Sequence, residues 1–160
     1  MNLDSLIEQF DAFMTTNGKY NYDLSPATDS SVQHIQQKLG VELPPSLVRF
    51  SQKSKSYTRW FSRIGEDYDH PNHIVNMNHL FHEPDVDSPK AWLPEWFVMI
   101  NLGYDGDCDG LDTRSRDPDT GEYPVLYWCY DEGRDFVPGK PTSFLGHLQG
   151  HLEFWCSDKK

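Results

Sequence analysis

The run Asp105-Gly106-Asp107-Cys108-Asp109-Gly110-Leu111-Asp112 holds the densest set of potential ligands in the chain. It opens D-x-D-x-D-G, the pattern in which alternating oxygens wrap a calcium ion and a glycine permits the sharp turn. Such a loop needs a bidentate glutamate at its twelfth position, and Arg116 stands there. The flanks also read as strand, so the helix–loop–helix calcium site is rejected. A hairpin turn is expected instead, with a looser single-cation site or a partner contact as the alternatives. His147 and His151 are four residues apart on a helical pattern, a spacing that can hold zinc, but no third ligand lies nearby in sequence. They are expected on the exposed side of their helix. His70, His73, His79 and His82 form a second group without metal-site spacing. H-E-x-x-H, G-x-S-x-G, the Walker loop and G-x-G-x-x-G are all absent. No catalytic residue, no metal site and no cofactor is therefore assigned, and the chain is not expected to be an enzyme. Cys108, Cys129 and Cys156 are odd in number and widely spaced, and read as reduced thiols.

Charge narrows the partner class. Of the 160 residues, 25 are acidic and 14 are Lys or Arg, a net charge of −11. Residues 1–64 carry 6 acids and 7 bases, whereas residues 65–160 carry 19 acids and 7 bases. Phosphate contacts need Lys and Arg, so a nucleic-acid-binding role and binding to anionic membranes are both disfavoured. An acidic half suits a basic protein partner, whose association it would accelerate, or a divalent cation, or solubility alone. If it is an interface, its contacts are expected at Asp105, Asp107, Asp109, Asp117, Asp119, Asp131, Glu132 and Asp135. Trp60, bracketed by Lys55, Arg59 and Arg63, is the aromatic candidate. The first residues lack a basic leader and no apolar run reaches membrane-spanning length, so a cytoplasmic protein is expected.

The elements that must position these residues follow from hydrophobic period. Leu, Ile, Val and Phe total 36 of the 160 residues, above the roughly 20% that flags disorder, and 5 Trp and 8 Tyr add bulk to an aromatic-rich core. Leu3, Leu6, Ile7, Phe10, Phe13 and Met14 mark one helical face, capped by Asn2 and stopped by Asn17-Gly18. A second helix is expected from the Asp29-Ser30-Ser31 cap to Gly40, and a short third one after Leu43-Pro44-Pro45, proline being tolerated in a first turn. Alternation over 57–64 reads as a strand, 65–90 as loop with a helical turn near 74–81, and 96–102 as a buried strand. Pro124-Val125-Leu126-Tyr127-Trp128-Cys129-Tyr130 is the clearest strand. A closing helix spans 142–155, with Phe144, Leu145, Leu148, Leu152 and Trp155 on one face. Gly146 and Gly150 in it suggest either close approach of a neighbour or mere tolerance. Helices, then antiparallel strands, then a closing helix give an α+β fold, a single domain over 1–160 with its core at about 29–156 and the first helix packed on it.

Four stretches in order carry a family resemblance. Ile35 to Phe50, reading IQQKLGVELPPSLVRF, resembles the helix–LP–helix opening of the SUKH superfamily. Asn101-Leu102-Gly103-Tyr104-Asp105-Gly106-Asp107 with Leu111-Asp112 is similar to its strand, Gly-Asp turn and strand. Gly121-Glu122-Tyr123-Pro124-Val125-Leu126-Tyr127-Trp128 and Thr142-Ser143-Phe144-Leu145 are similar to its last two landmarks. The resemblance implies an α+β protein-binding domain without catalytic residues. Bacterial members resemble immunity proteins that block a co-inherited toxin domain, and fungal members resemble hubs of cell-wall and stress signalling. An immunity protein for a basic, nucleic-acid-targeting toxin is the expectation. A regulatory module of the same fold, or a metal-binding protein, is the alternative.

Overall fold

The computed structural model describes residues 2–17, 26–57, 61–66, 68–71, 73–83, 93–103, 106–129, 135–136 and 142–157. Helix α1 spans Leu3–Asn17, and Asn2 caps it by accepting the Ser5 N–H through Oδ1 at 2.9 Å. Its apolar stripe buries Leu6, Ile7, Phe10 and Met14. Helix α2, Asp29–Leu39, is capped one residue earlier than the sequence indicates. Thr28 and Ser31 form a reciprocal capping box, and the Glu66 carboxylate accepts from the Thr28 and Ser30 hydroxyls at 2.9 and 3.1 Å. Gly40 ends the helix at φ 69°, the left-handed region that glycine enters without penalty. Helix α3, Pro45–Lys53, starts with proline at its first turn, as expected. Helix α4 is Ile74–His82, and α5, Phe144–Ser157, closes the order.

Four antiparallel strands form one sheet in the order β1 (Phe97–Leu102), β2 (Cys108–Asp112), β3 (Val125–Cys129) and β4 (Asp135–Phe136). The fold is α+β, with N-terminal helices, a central antiparallel sheet and a C-terminal helix. The Asp107 main-chain carbonyl accepts the Gly103 N–H at 2.7 Å across the β1–β2 turn, and Gly106 adopts φ 87° there. The turn therefore takes only the front of the aspartate run, and Cys108 to Asp112 are strand. One sheet face buries Val98, Ile100, Leu111 and Val125 against α1, α2, α3 and α5. The other buries Phe97, Met99, Cys108 and Trp128 with Met77 and Leu93. On that second face a Cβ at Gly110 would overlap the Phe97 ring, so the cross-strand aromatic demands glycine. The outer edge of β1 is covered: Asn78 donates to the Met99 carbonyl and accepts its N–H, both at 2.8 Å, and the Ser62 N–H donates to Ile100.

The strand expected over 57–64 is corrected. Among the described residues there, the strand-type pairing is an isolated bridge between Arg63 and His73. The Phe61 N–H instead donates to the Tyr57 carbonyl at 2.8 Å, a helical-turn bond. The Tyr57 hydroxyl donates to the Ile64 carbonyl at 2.6 Å and accepts the Ile64 N–H at 3.0 Å, taking the place of a ladder partner. Tyr57, Phe61, Ser62 and Ile64 are all buried, a pattern no two-residue period produces. Phe61 completes an aromatic cluster, with ring centroids 5.3 Å from both Phe50 and Phe144, and Phe50 lies 5.1 Å from Phe10. Of the two helix glycines, Gly150 faces open space and Gly146 stands close to Thr142, two residues before the helix begins. Neither marks the approach of a neighbouring element.

Candidate functional site

Asp109, expected at the surface, is turned into the protein and only 5% exposed. A register shift between Met99 and Asn101 makes Ile100 the extra residue of β1 and sets Asn101 opposite Asp109. Asn101 Nδ2 donates to Asp109 Oδ2 at 3.0 Å. Helix α5 lies over the same atom, with His147 Nε2 at 3.5 Å and His151 Nε2 at 3.7 Å from it. The two imidazole Nε2 atoms are 3.0 Å apart. Burial by itself raises the Asp109 carboxyl, but hydrogen bonds from His147, His151 and Asn101 hold it well below the ordinary carboxylate range. This is the one group of three or more among the described residues whose His, Cys, Asp or Glu ligand atoms lie within 4.8 Å of one another.

The histidines are thus not on the exposed side of the closing helix. Their side chains are 12% and 23% exposed. The reason lies in the period: 144, 147, 148 and 151 follow i, i+3, i+4, i+7, so the stripe that buries Phe144 and Leu148 carries both imidazoles inward. That signal was available in the sequence; the aspartate opposite it, in a strand nearly 40 residues away, was not. The other histidines disperse. His73 is buried, and its Nδ1 caps α4 by accepting the Val75 N–H at 3.2 Å. His79 pairs with Glu83 at 3.3 Å, and His82 Nε2 lies 3.1 Å from the Pro94 carbonyl.

The remaining predicted contacts are spread rather than gathered. Asp107 bonds the Tyr127 hydroxyl, and that bond, followed by burial, raises the tyrosine above its ordinary value. Asp117 and Asp119 are exposed on the β2–β3 connection, at the opposite end of β2 from Asp107. Five strand residues separate the two ends by about 17 Å. Asp117 Oδ1 accepts the N–H groups of Asp119 and Thr120 at 2.8 and 3.0 Å, so it shapes its own loop. Asp135 enters through the pairing of β4 with Cys129. Asp105, Asp131, Glu132 and Trp60 lie outside the described residues. The looser cation loop receives no support from Asp107 and Asp109, whose carboxylates have separate partners.

Glu122, which the sequence offered only as a landmark, has a defined task. Pro44 precedes α3 and has no side-chain acceptor to cap it. Glu122 reaches across from the β2–β3 connection and accepts the Ser46 N–H at 2.9 Å and the Ser46 hydroxyl at 2.6 Å. Arg116 pairs with Glu42 at 2.6 Å beside it, its guanidinium 5.8 Å from the Tyr123 ring. The LPPS and GEYP stretches are therefore two halves of one contact that docks α3 on the sheet. Among the described residues no helix is long and apolar enough to cross a membrane. None of the curated proteins matches the chain. The family model for SMI1 / KNR4 (SUKH-1) matches residues 26–142, which include both halves of that contact and the whole sheet. With most of its length matched and the matched landmarks in mutual contact, the chain belongs to the SMI1/KNR4 (SUKH-1) family.

Proposed function

We propose that this chain is an immunity protein that binds and neutralises a cognate toxin domain, acting by protein–protein contact with no catalytic step of its own. The family includes toxin-immunity proteins. The observation that carries the finer reading is the charge: residues 65–160 hold 19 acids against 7 bases. Toxin domains that act on nucleic acid need basic surfaces, and an acidic excess of this size attracts them. The partner is a basic toxin domain met in the cytoplasm of the cell that must survive it. Asp119 and Asp107, with Asp105, Asp131 and Glu132, supply the charge, while Asp117 is engaged in holding its loop.

The test begins with affinity capture from the native host at low and high salt. One stoichiometric partner with a basic domain, lethal when expressed alone and harmless when co-expressed with this chain, is the expected result. The triple reversal Asp105→Lys, Asp119→Lys, Asp131→Lys should then slow association by about tenfold or more and flatten its salt dependence. Unchanged association rates would remove the acidic loops from the interface. Several substoichiometric signalling proteins, none of them toxic, would overturn the immunity reading in favour of a regulatory module.

A further inference from the structure

We infer that Asp109, His147 and His151 form a binding site for a divalent transition-metal ion of the zinc class, spanning β2 and α5. The three ligand atoms make a triangle with edges of 3.0, 3.5 and 3.7 Å. Its circumradius is about 2.0 Å, so an ion near its centre lies at the zinc–imidazole and zinc–carboxylate distance from all three corners at once. Tetrahedral coordination at that distance requires ligand atoms about 3.3 Å apart, within the range of the three edges. Side chains need only small rotations to close on the ion.

The donor set selects the class. Calcium takes six to eight oxygens and magnesium an octahedron of oxygens, whereas two imidazoles and one carboxylate suit zinc and its neighbours. The supports are those of a built site. Asn101 donates to Asp109 and fixes its carboxylate. Both imidazoles project from successive turns of one helix, and the Phe61 ring stands 6.4 Å from His147 on its apolar side. His151 is the more exposed ligand, so the site opens toward solvent on that side. Among the described residues no further His, Cys, Asp or Glu joins the group, so these three supply three of the four tetrahedral positions. The ion would tie the closing helix to the middle of the sheet, two elements that otherwise meet mainly through apolar side chains.

The experiment uses the full chain, treated with chelator and titrated with zinc alone. One equivalent is expected to bind, raising Tm by about 5–10 °C at a free concentration 100 times Kd. X-ray absorption at the zinc edge should show two imidazole nitrogens at about 2.0 Å. His147→Gln and His151→Gln should each weaken binding by at least about tenfold, as should Asn101→Ala, which loosens Asp109 without removing a ligand. His79→Gln, on the exposed face of α4, should leave it unchanged. The absorption spectrum is read on the native chain, so it stands even where a variant folds poorly. Absence of saturable binding, an all-oxygen shell at the edge, or equal affinity in His151→Gln would overturn the site and leave a histidine–aspartate cluster satisfied by protons. No toxin enters this test, so its outcome is separate from that of the proposed function.

Discussion

Asp112 ends β2 with its carboxylate held by Arg114, through Nε and Nη2 at 2.8 Å each, and the guanidinium lies 3.5 Å from the centroid of the Trp96 ring. The hydrogen bonds from Arg114 lower the Asp112 carboxyl below its ordinary value against the opposing effect of burial. In the unfolded chain the same carboxyl titrates near the ordinary value of about 3.9. Between the two values the unfolded chain binds the extra proton, so stability falls as pH falls. The contribution is present in full above the ordinary range, begins to fade on acidification through it, and is lost as pH falls through the lowered value of the folded chain. Asp112→Asn should therefore melt below wild type at pH 7, with the gap closing as Tm is followed down to pH 2.5 at low ionic strength. Arg114 is 55% exposed, so the effect is modest and shrinks in salt. A gap that stays constant with pH would assign the loss to packing on Trp96 instead. This pair is local, its residues two apart along the chain, although the sequence reading did not single it out. The inward turn of Asp109 is not local and was not legible: it depends on an extra residue in β1 and on a helix that follows much later.

Among the elements, those with one long apolar stripe were readable and those held by single side chains were not. The stripe of α1 and the dense run of β3 specify their own structure. The 57–64 segment alternates in composition, yet the Tyr57 hydroxyl bonds both backbone groups of Ile64 and removes them from any ladder. Helix α3 shows the same dependence at its start. Its first turn begins with proline, Pro44 supplies no cap, and the acceptor for Ser46 comes from Glu122, 76 residues away. Hydrogen bonds to a charged acceptor contribute about 1.5–3 kcal/mol each in partly buried settings, and loss of a helix cap costs about 0.5–2 kcal/mol. Glu122→Ala should accordingly destabilise the chain by about 1.5–3 kcal/mol, read as a lower urea midpoint with an unchanged slope. Ser46→Ala removes one of the two bonds and should cost less, and the double variant should fall short of the sum. Strict additivity would mean that the two residues act separately and that the GEYP stretch matters for its own turn.

At the scale of the whole molecule, the family match and the folded unit have different limits. The match covers 26–142, while α1 and α5 lie outside it. Yet α1 buries Leu6, Ile7, Phe10 and Met14, and α5 buries Phe144, Leu148 and Leu152, all in the cluster that also holds Phe50 and Leu111. Asp11 adds polar ties, accepting from the Ser54 hydroxyl at 2.6 Å and the Lys55 N–H at 3.0 Å. Seven such side chains at about 1.5–3 kcal/mol each represent about 10–20 kcal/mol of burial, as much as or more than the 5–15 kcal/mol by which a domain is ordinarily stable. A fragment limited to 26–142 would also expose the sheet face and the aromatic cluster at once. It is expected to show no cooperative melting transition and to bind a hydrophobic dye, while the full chain melts cooperatively and does not. Removing residues 1–25 alone takes four of the seven side chains and should lower Tm steeply even where some fold survives. A 26–142 fragment that melted cooperatively within a few degrees of the full chain would place the stabilising core within the matched residues. The outer helices would then be free for binding, and α5, which carries His147 and His151, would become the first surface to test against a partner.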